Sequence, residues 1–260
     1  MENKTMEHCV IEHREALGGD IYSEWLKTDQ IAAGARAGQF VSVYCKNQSK
    51  LLQRPISLCE IDREGSRIRL VYRVTGKNTG TMEHSLLPIG TEVSVLGPLG
   101  NGFPIEEGKG KRVLLIGGGI GIPPMLQTAK ELEGEALIVL GYRDSLFLNQ
   151  EFEPYGQVYI ATEDGSAGTR GNVLDAIREK DLQADLIFAC GPKPMLRALC
   201  AYAKEKQIPC WISMEERMAC GVGACLGCVC KSTEVDGHSH VHNKRVCKDG
   251  PVFLSTEVEL

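Results

Sequence analysis

"LIGGGIGIPPM", residues 115 to 125, decides how this chain is read. Apolar residues before it read as a strand and those after it as a helix, so Gly117, Gly118, Gly119 and Gly121 stand at a strand-to-helix turn. Glycines let a backbone come close to a pyrophosphate, and the free N–H groups of a helix start attract its charge. Pro123 and Pro124 suit the first helical turn, where a missing N–H costs nothing. Tight turns of this composition also occur without a nucleotide, so both readings stand on this stretch alone. "ACGPKPML" (189–196) repeats the pattern: it ends an apolar strand and opens a helix, as an open α/β sheet requires when its ligand lies beyond the strand C-termini. Cys190 then either faces the ligand or is a small buried thiol.

Around these turns, "KRVLLIG" (111–117), "ALIVLGY" (136–142), "QVYIAT" (157–162) and "ADLIFACG" (184–191) are nearly continuous apolar strands, as in a parallel sheet covered on both faces. Helical stretches separate them, among them "NVLDAIREK" (172–180) and "KPMLRALCAYAKEKQ" (193–207), the latter with Met195, Leu199 and Tyr202 at helical spacing. That alternation predicts βαβ units. Upstream the text changes to short strands: "QFVSVY" (39–44), "RPISLCEI" (54–61), "RIRLVYRV" (67–74) and "TEVSVLGP" (91–98). In "RIRLVYRV" residues Ile68, Leu70 and Tyr72 share one face and Arg69, Val71 and Arg73 the other, so this part reads as a small antiparallel barrel. After "CWISME" (210–215) the regular pattern stops, and the remaining piece is too small to hold a core of its own. The fold class is a β-barrel plus an α/β domain with a small C-terminal module; the boundaries are drawn at 1–104, 105–213 and 214–260.

The 260 residues carry a formal charge of −5, with basic residues scattered rather than striped, which argues against a nucleic-acid partner. "MENKTMEHCVIEHRE" lacks the apolar core of a signal peptide, and no apolar run has the roughly 20 residues of a membrane span. The expected location is the cytoplasm, where the 11 cysteines point to a metal or cofactor site rather than to disulfides. Four of them fall in "CGVGACLGCVC" (220–230). Cys220, Cys225 and Cys228 have the C-x4-C-x2-C spacing of plant-type [2Fe–2S] sites, with Cys247 in "RVCKDG" as the natural fourth ligand. Structural zinc favours paired knuckles, and a second knuckle is missing from this pattern; zinc stays open as the alternative. Cys230 is the spare thiol. His238, His240 and His242 alternate in a loop that reads as a solvated hairpin tip or as a metal site.

Arg54 and Arg73 offer guanidinium forks suited to phosphate oxygens, Ser57 a hydroxyl and Tyr72 a flat ring. With R-P-x-S, then G-G-G-x-G-x-x-P, then C-G-P in this order, the chain resembles the ferredoxin–NADP reductase superfamily. "MACGVGACLGCVCK" and "RVCKDGPVF" narrow the resemblance to the electron-transfer subunits of class 1B NAD-dependent dihydroorotate dehydrogenases. The resemblance implies a flavin and iron–sulfur oxidoreductase subunit with FAD, one [2Fe–2S] cluster and NAD(H). It implies FAD contacts from Arg54, Pro55, Ile56, Ser57, Val71, Tyr72, Arg73, Asn78, Thr79, Gly80 and Thr81, and NAD contacts from Gly118, Gly119, Gly121, Pro124, Cys190, Gly191 and Pro192. "GKNTGT" (76–81) departs from the expected G-x-G-T, so either Asn78 replaces a glycine or Gly80 with Thr81 take its role. One arginine, Arg143, in "LGYRDSLFL" rather than a basic cluster favours NAD over NADP. The implied partner is an FMN-containing catalytic subunit, in a heterotetramer of two of each. That partner oxidises dihydroorotate in pyrimidine synthesis, and nothing in this chain reads as a dihydroorotate pocket. A reductase module for a hydrogenase, a sulfide dehydrogenase or a transhydrogenase, and a zinc-bound interaction module, are the competing readings.

Overall fold

The computed structural model describes residues 4–46, 51–75, 84–235 and 240–260. Six strands close the barrel: β1 (Thr5–Gly18), β2 (Ile21–Lys27), β3 (Phe40–Val43), β4 (Arg54–Asp62), β5 (Arg67–Arg73) and β6 (Glu92–Leu99), in the order β1-β2-β5-β4-β3-β6, every neighbour antiparallel. A short helix, α1 (Gln30–Gly34), joins β2 to β3. Ile68, Leu70 and Tyr72 point into the barrel core with Cys9, Ile11, Leu58 and Val95. The other face of β5 is not a solvent face: Arg69 is 5% exposed and Val71 packs with the core of the second unit.

The second unit is a seven-stranded sheet, ordered β10-β9-β8-β7-β11-β12-β15. Its parallel strands are β7 (Arg112–Gly118), β8 (Glu135–Tyr142), β9 (Gln157–Thr162), β10 (Thr169–Arg170), β11 (Leu186–Cys190) and β12 (Cys210–Ser213). The helices are α2 (Pro123–Glu131), α3 (Val173–Glu179) and α4 (Lys193–Lys206). Alternate residues of β7 feed opposite cores, Leu114 and Ile116 on one side and Val113 and Leu115 on the other, which is why these strands are apolar throughout. α3 starts on a reciprocal cap: Asn172 Oδ1 accepts from Leu174 N at 2.9 Å, and Asp175 Oδ2 accepts from Asn172 N at 2.8 Å.

The tail does more than follow the sheet. β13 (Val229–Lys231) and β14 (Asn243–Arg245) form a hairpin, and β15 (Val252–Leu254) adds antiparallel to β12 as the seventh strand. Phe253, Val246 and Cys247 are almost wholly buried in the core that also holds Leu114 and Ile187. The tail, too small for a core of its own, is therefore organised partly by burial in a shared one. Among the described residues no helix is long and apolar enough to cross a membrane.

Candidate functional site

Register brings the two glycine turns together. β7 and β11 are neighbours with Gly117 opposite Cys190, so "GGGIG" and "CGP" leave the same edge of the sheet side by side. A Cβ on Gly121 would lie 2.5 Å from the Cys190 carbonyl and 2.6 Å from Gly191 Cα, so only glycine permits this backbone contact. Gly119 has φ +53 with open space around it, and α2 begins with Pro123 and Pro124. Gly118 packs against Pro192 and Met195. Cys190 is 1% exposed, and burial pushes its thiol far up. Of the two readings of Cys190, the structure has the small buried thiol: the side chain packs in the sheet core that also holds Phe188 and does not face the cleft.

Glu215 belongs to the same edge and was missed by reading motifs. It follows β12, whose Ser213 pairs with Cys190, and its carboxylate is close enough to raise the Cys190 thiol. Solvent reaches Glu215, yet the surrounding protein desolvates it and raises its pKa. The available signal was positional: an acidic residue two places past a strand ending level with both turns. Arg143, after β8, is exposed and faces the Asp144 carboxylate at 3.5 Å, so its neighbour at that strand exit is an acid.

On the barrel, Cys45, Arg54, Ile56, Tyr72 and His84 line one small pocket. Tyr72 is 3% exposed, stacked on Tyr22 at 6.2 Å and edge-on to His84 at 5.6 Å, so its ring is enclosed rather than free for stacking. Its hydroxyl is buried beside the Arg14 guanidinium and, among the described residues, completes no hydrogen bond. Arg54 donates to the Leu52 carbonyl at 3.0 Å, and Arg73 pairs with Asp20 at 3.3 Å. Pro55 is exposed, Ser57 half-buried, and Ile56 and Val71 buried. Behind the pocket, the fully buried Glu24 accepts from Arg14 Nε and faces His84 Nε2, both at 2.6 Å, a network the sequence did not reveal. Asn78, Thr79, Gly80 and Thr81 lie outside the described residues, as does His238.

The cysteine loop folds around its sulfurs. Cys220 Sγ accepts from the N–H groups of Val222, Ala224 and Cys225 at 3.3–3.4 Å, and Cys247 Sγ from Gly223 at 3.1 Å. Cys225 Sγ accepts from Gly227, and Cys228 Sγ from Cys247 N, each at 3.4 Å. Gly221 (φ +68) and Gly223 (φ +85) supply the left-handed turns that aim these donors inward. Burial works against the Cys220 thiolate, but the N–H groups of Val222, Cys225 and Ala224 outweigh it and bring its pKa to about 6. Burial and the neighbouring Cys228 push Cys247 up to about 12. The thiols fall in two pairs, Cys220 with Cys225 and Cys228 with Cys247. Among the described residues no three His, Cys, Asp or Glu side chains converge on one point as a single metal ion requires. Cys230 turns away from the loop, buried, donating to the Lys244 carbonyl at 3.4 Å. His240 and His242 are exposed between β13 and β14.

The loop does not stand apart from the barrel. A Cβ on Gly221 would lie 2.9 Å from Ser42 Oγ, and Ser42 on β3 pairs with Pro55 of the R-P-I-S stretch.

Comparison with known proteins agrees with this layout. Residues 215–259 match the family model described as the iron-sulfur cluster binding domain of dihydroorotate dehydrogenase B. The dihydroorotate dehydrogenase B (NAD(+)) electron transfer subunit of a Geobacillus species is 42% identical over 264 residues, covering 99% of each chain. That of Bacillus caldolyticus is 46% identical over 230 residues, covering 86% of each. Among solved structures, an NADH-dependent reduced ferredoxin-NADP oxidoreductase studied for flavin-based electron bifurcation superposes with a TM-score of 0.86 at 30% identity, over 97% of this chain and 90% of the other. The matches run over most or all of these relatives' length, and the chain belongs to the family of electron transfer subunits of dihydroorotate dehydrogenase B (NAD(+)).

Proposed function

We propose that the chain carries FAD on the barrel, NAD(H) at the paired glycine turns and a [2Fe–2S] cluster in the cysteine loop, and passes electrons from a catalytic partner subunit through cluster and flavin to NAD⁺. Nicotinamide exchanges two electrons as hydride, an iron–sulfur centre one at a time, and flavin handles both. The donor sets suit these groups. Two thiol pairs, each sulfur already accepting a backbone N–H, fit two irons taking two thiolates each better than one tetrahedral zinc. The orphaned Tyr72 hydroxyl and the Arg54 guanidinium suit a polar, phosphate-bearing flavin, with Pro55, Ser57 and Arg73 on the outward face beside them. Gly119, Gly121 and Gly191 form the nucleotide cradle, with Glu215 on the same sheet edge where the nicotinamide would sit and the buried Cys190 thiol behind it.

The observation that carries the reading is the seating of Gly221, next to Cys220, on Ser42, the cross-strand partner of Pro55. It puts the cysteine loop one strand from the flavin motif, as electron transfer between the two requires. The partner is an FMN-containing subunit that oxidises dihydroorotate, in a heterotetramer of two of each, and the complex works in the cytoplasm. Protein purified without air should hold about one FAD, two irons and two acid-labile sulfides per chain. Absorbance and metal analysis check this, and zinc in place of iron and sulfide would overturn it.

A further inference from the structure

Ser42 sits at the middle of β3 with no exposure to solvent, and its hydroxyl has no hydrogen-bond partner among the described residues. A buried hydroxyl left unpaired costs about 1–3 kcal/mol, so a fold that keeps one there calls for a partner, and an acceptor would take its O–H. The cysteine loop lies against this residue, with Gly221 so close that a Cβ there would stand 2.9 Å from Ser42 Oγ. The Gln53 amide nitrogen, a donor and not an acceptor, lies 3.6 Å from the same point. Two donors of the barrel therefore converge on the loop beside Cys220. Thiolates and sulfides are acceptors only, and hydrogen bonds to them set an iron–sulfur potential.

We infer that the Ser42 hydroxyl is the barrel's hydrogen-bond donor to the iron–sulfur centre, through which strand β3 raises that centre's potential. The inference rests on the cluster reading above and adds the residue that tunes it. Reduction adds negative charge to the centre, so a donor binds the reduced form more tightly and makes it easier to reach. Because Ser42 pairs with Pro55, the tuning group lies between the cluster loop and the flavin motif.

The test is an anaerobic redox titration followed by electron paramagnetic resonance, on the assembled protein and on Ser42→Ala. The expected result is a more negative cluster potential in Ser42→Ala, about a tenfold loss in the reduction equilibrium or about 59 mV for one electron, with the flavin potential unmoved. Ser42→Thr and Ser42→Val form a second pair of equal size that differs in the hydroxyl alone; the threonine should keep the native potential and the valine lose it. Pulsed measurements in heavy water should also count one exchangeable deuteron fewer at the cluster in Ser42→Ala. An unchanged cluster potential in both non-donor variants, or a shift of the flavin potential in its place, would overturn the inference. A native protein without any iron–sulfur signal would instead refute the cluster reading on which it rests.

Discussion

Cys228 and Cys230 show how two residues of separation divide one sequence cluster. Both are buried, but the Cys228 sulfur accepts from Cys247 N inside the loop, whereas the Cys230 thiol donates to the Lys244 carbonyl across the β13–β14 hairpin. Cys225 is the exposed member of the four, and Cys247 is fully buried in the shared core. Cys225→Ser and Cys247→Ser should therefore both lose the cluster while the barrel still binds FAD. Cys247→Ser should also lower stability, by about 1–2 kcal/mol, because it puts a hydroxyl among Val246 and Phe253. Cys230→Ser should keep cluster and flavin. Visible absorbance with iron and flavin counts on the three variants checks the assignment; loss of iron in Cys230→Ser with Cys247→Ser unaffected would show that the fourth ligand is misassigned.

At the scale of elements, the parallel strands, both long helices and the paired turns were legible because burial on two faces leaves an unbroken apolar run. The β1–β2 hairpin was not, since in Thr5–Gly18 only Cys9 and Ile11 are fully buried and the charged residues around them read as a solvated terminus. β15 escaped notice because three residues carry no periodicity, and what places them is pairing with β12. Of the candidate site, the cysteine spacing and R-P-I-S could be read directly, but Glu215, His84 and Ser42 enter through register and closure that no local pattern encodes. Arg69 is a similar case. Read as the polar face of a strand, it lies between the units, donating to Glu60 and Glu151 at 2.5 Å and to Ser23 at 2.8 Å, while Lys130 of α2 also pairs with Glu60. Arg69→Met strands Glu60 with one cation and leaves Glu151, 40% exposed, to water. The loss should be about 2–4 kcal/mol in chemical denaturation, at the lower end of what breaking a buried pair costs because Lys130 remains. Since Arg69 ties Glu60 of the barrel to Glu151 of the sheet unit, flavin reduction by NADH should slow in the same variant at unchanged FAD content.

For the whole molecule, the arrangement of parts dictates what the chain does alone and what it needs a partner for. The glycine turns lie on the sheet edge, the R-P-I-S stretch on β4, and the cysteine loop rests on β3 beside it, so on the proposed assignment the flavin stands between nicotinamide and cluster. Around the loop, Cys225 is exposed together with Val222 (37%) and Leu226 (58%), an apolar rim at the point where the proposed route brings electrons in from outside the chain. With a nicotinamide cradle and a flavin, the isolated chain should pass electrons from NADH to an artificial dye. With no recognisable orotate site, it should not oxidise dihydroorotate. Adding the catalytic partner subunit, proposed above to hold FMN, should create dihydroorotate-dependent NAD⁺ reduction that neither part supports alone, followed as absorbance of NADH. Cys225→Ser should reduce that coupled rate by at least about 100-fold, since a missing centre lengthens the gap electrons must cross, while NADH still bleaches the flavin from the other side. Leu226→Glu puts a charge on the rim without touching a thiol, and a desolvated unpaired charge at an interface costs about 2–5 kcal/mol. It should weaken association with the partner and leave the cluster's spectrum intact. Dihydroorotate turnover by the isolated chain, or full coupled activity in Cys225→Ser, would mean that electrons take another route.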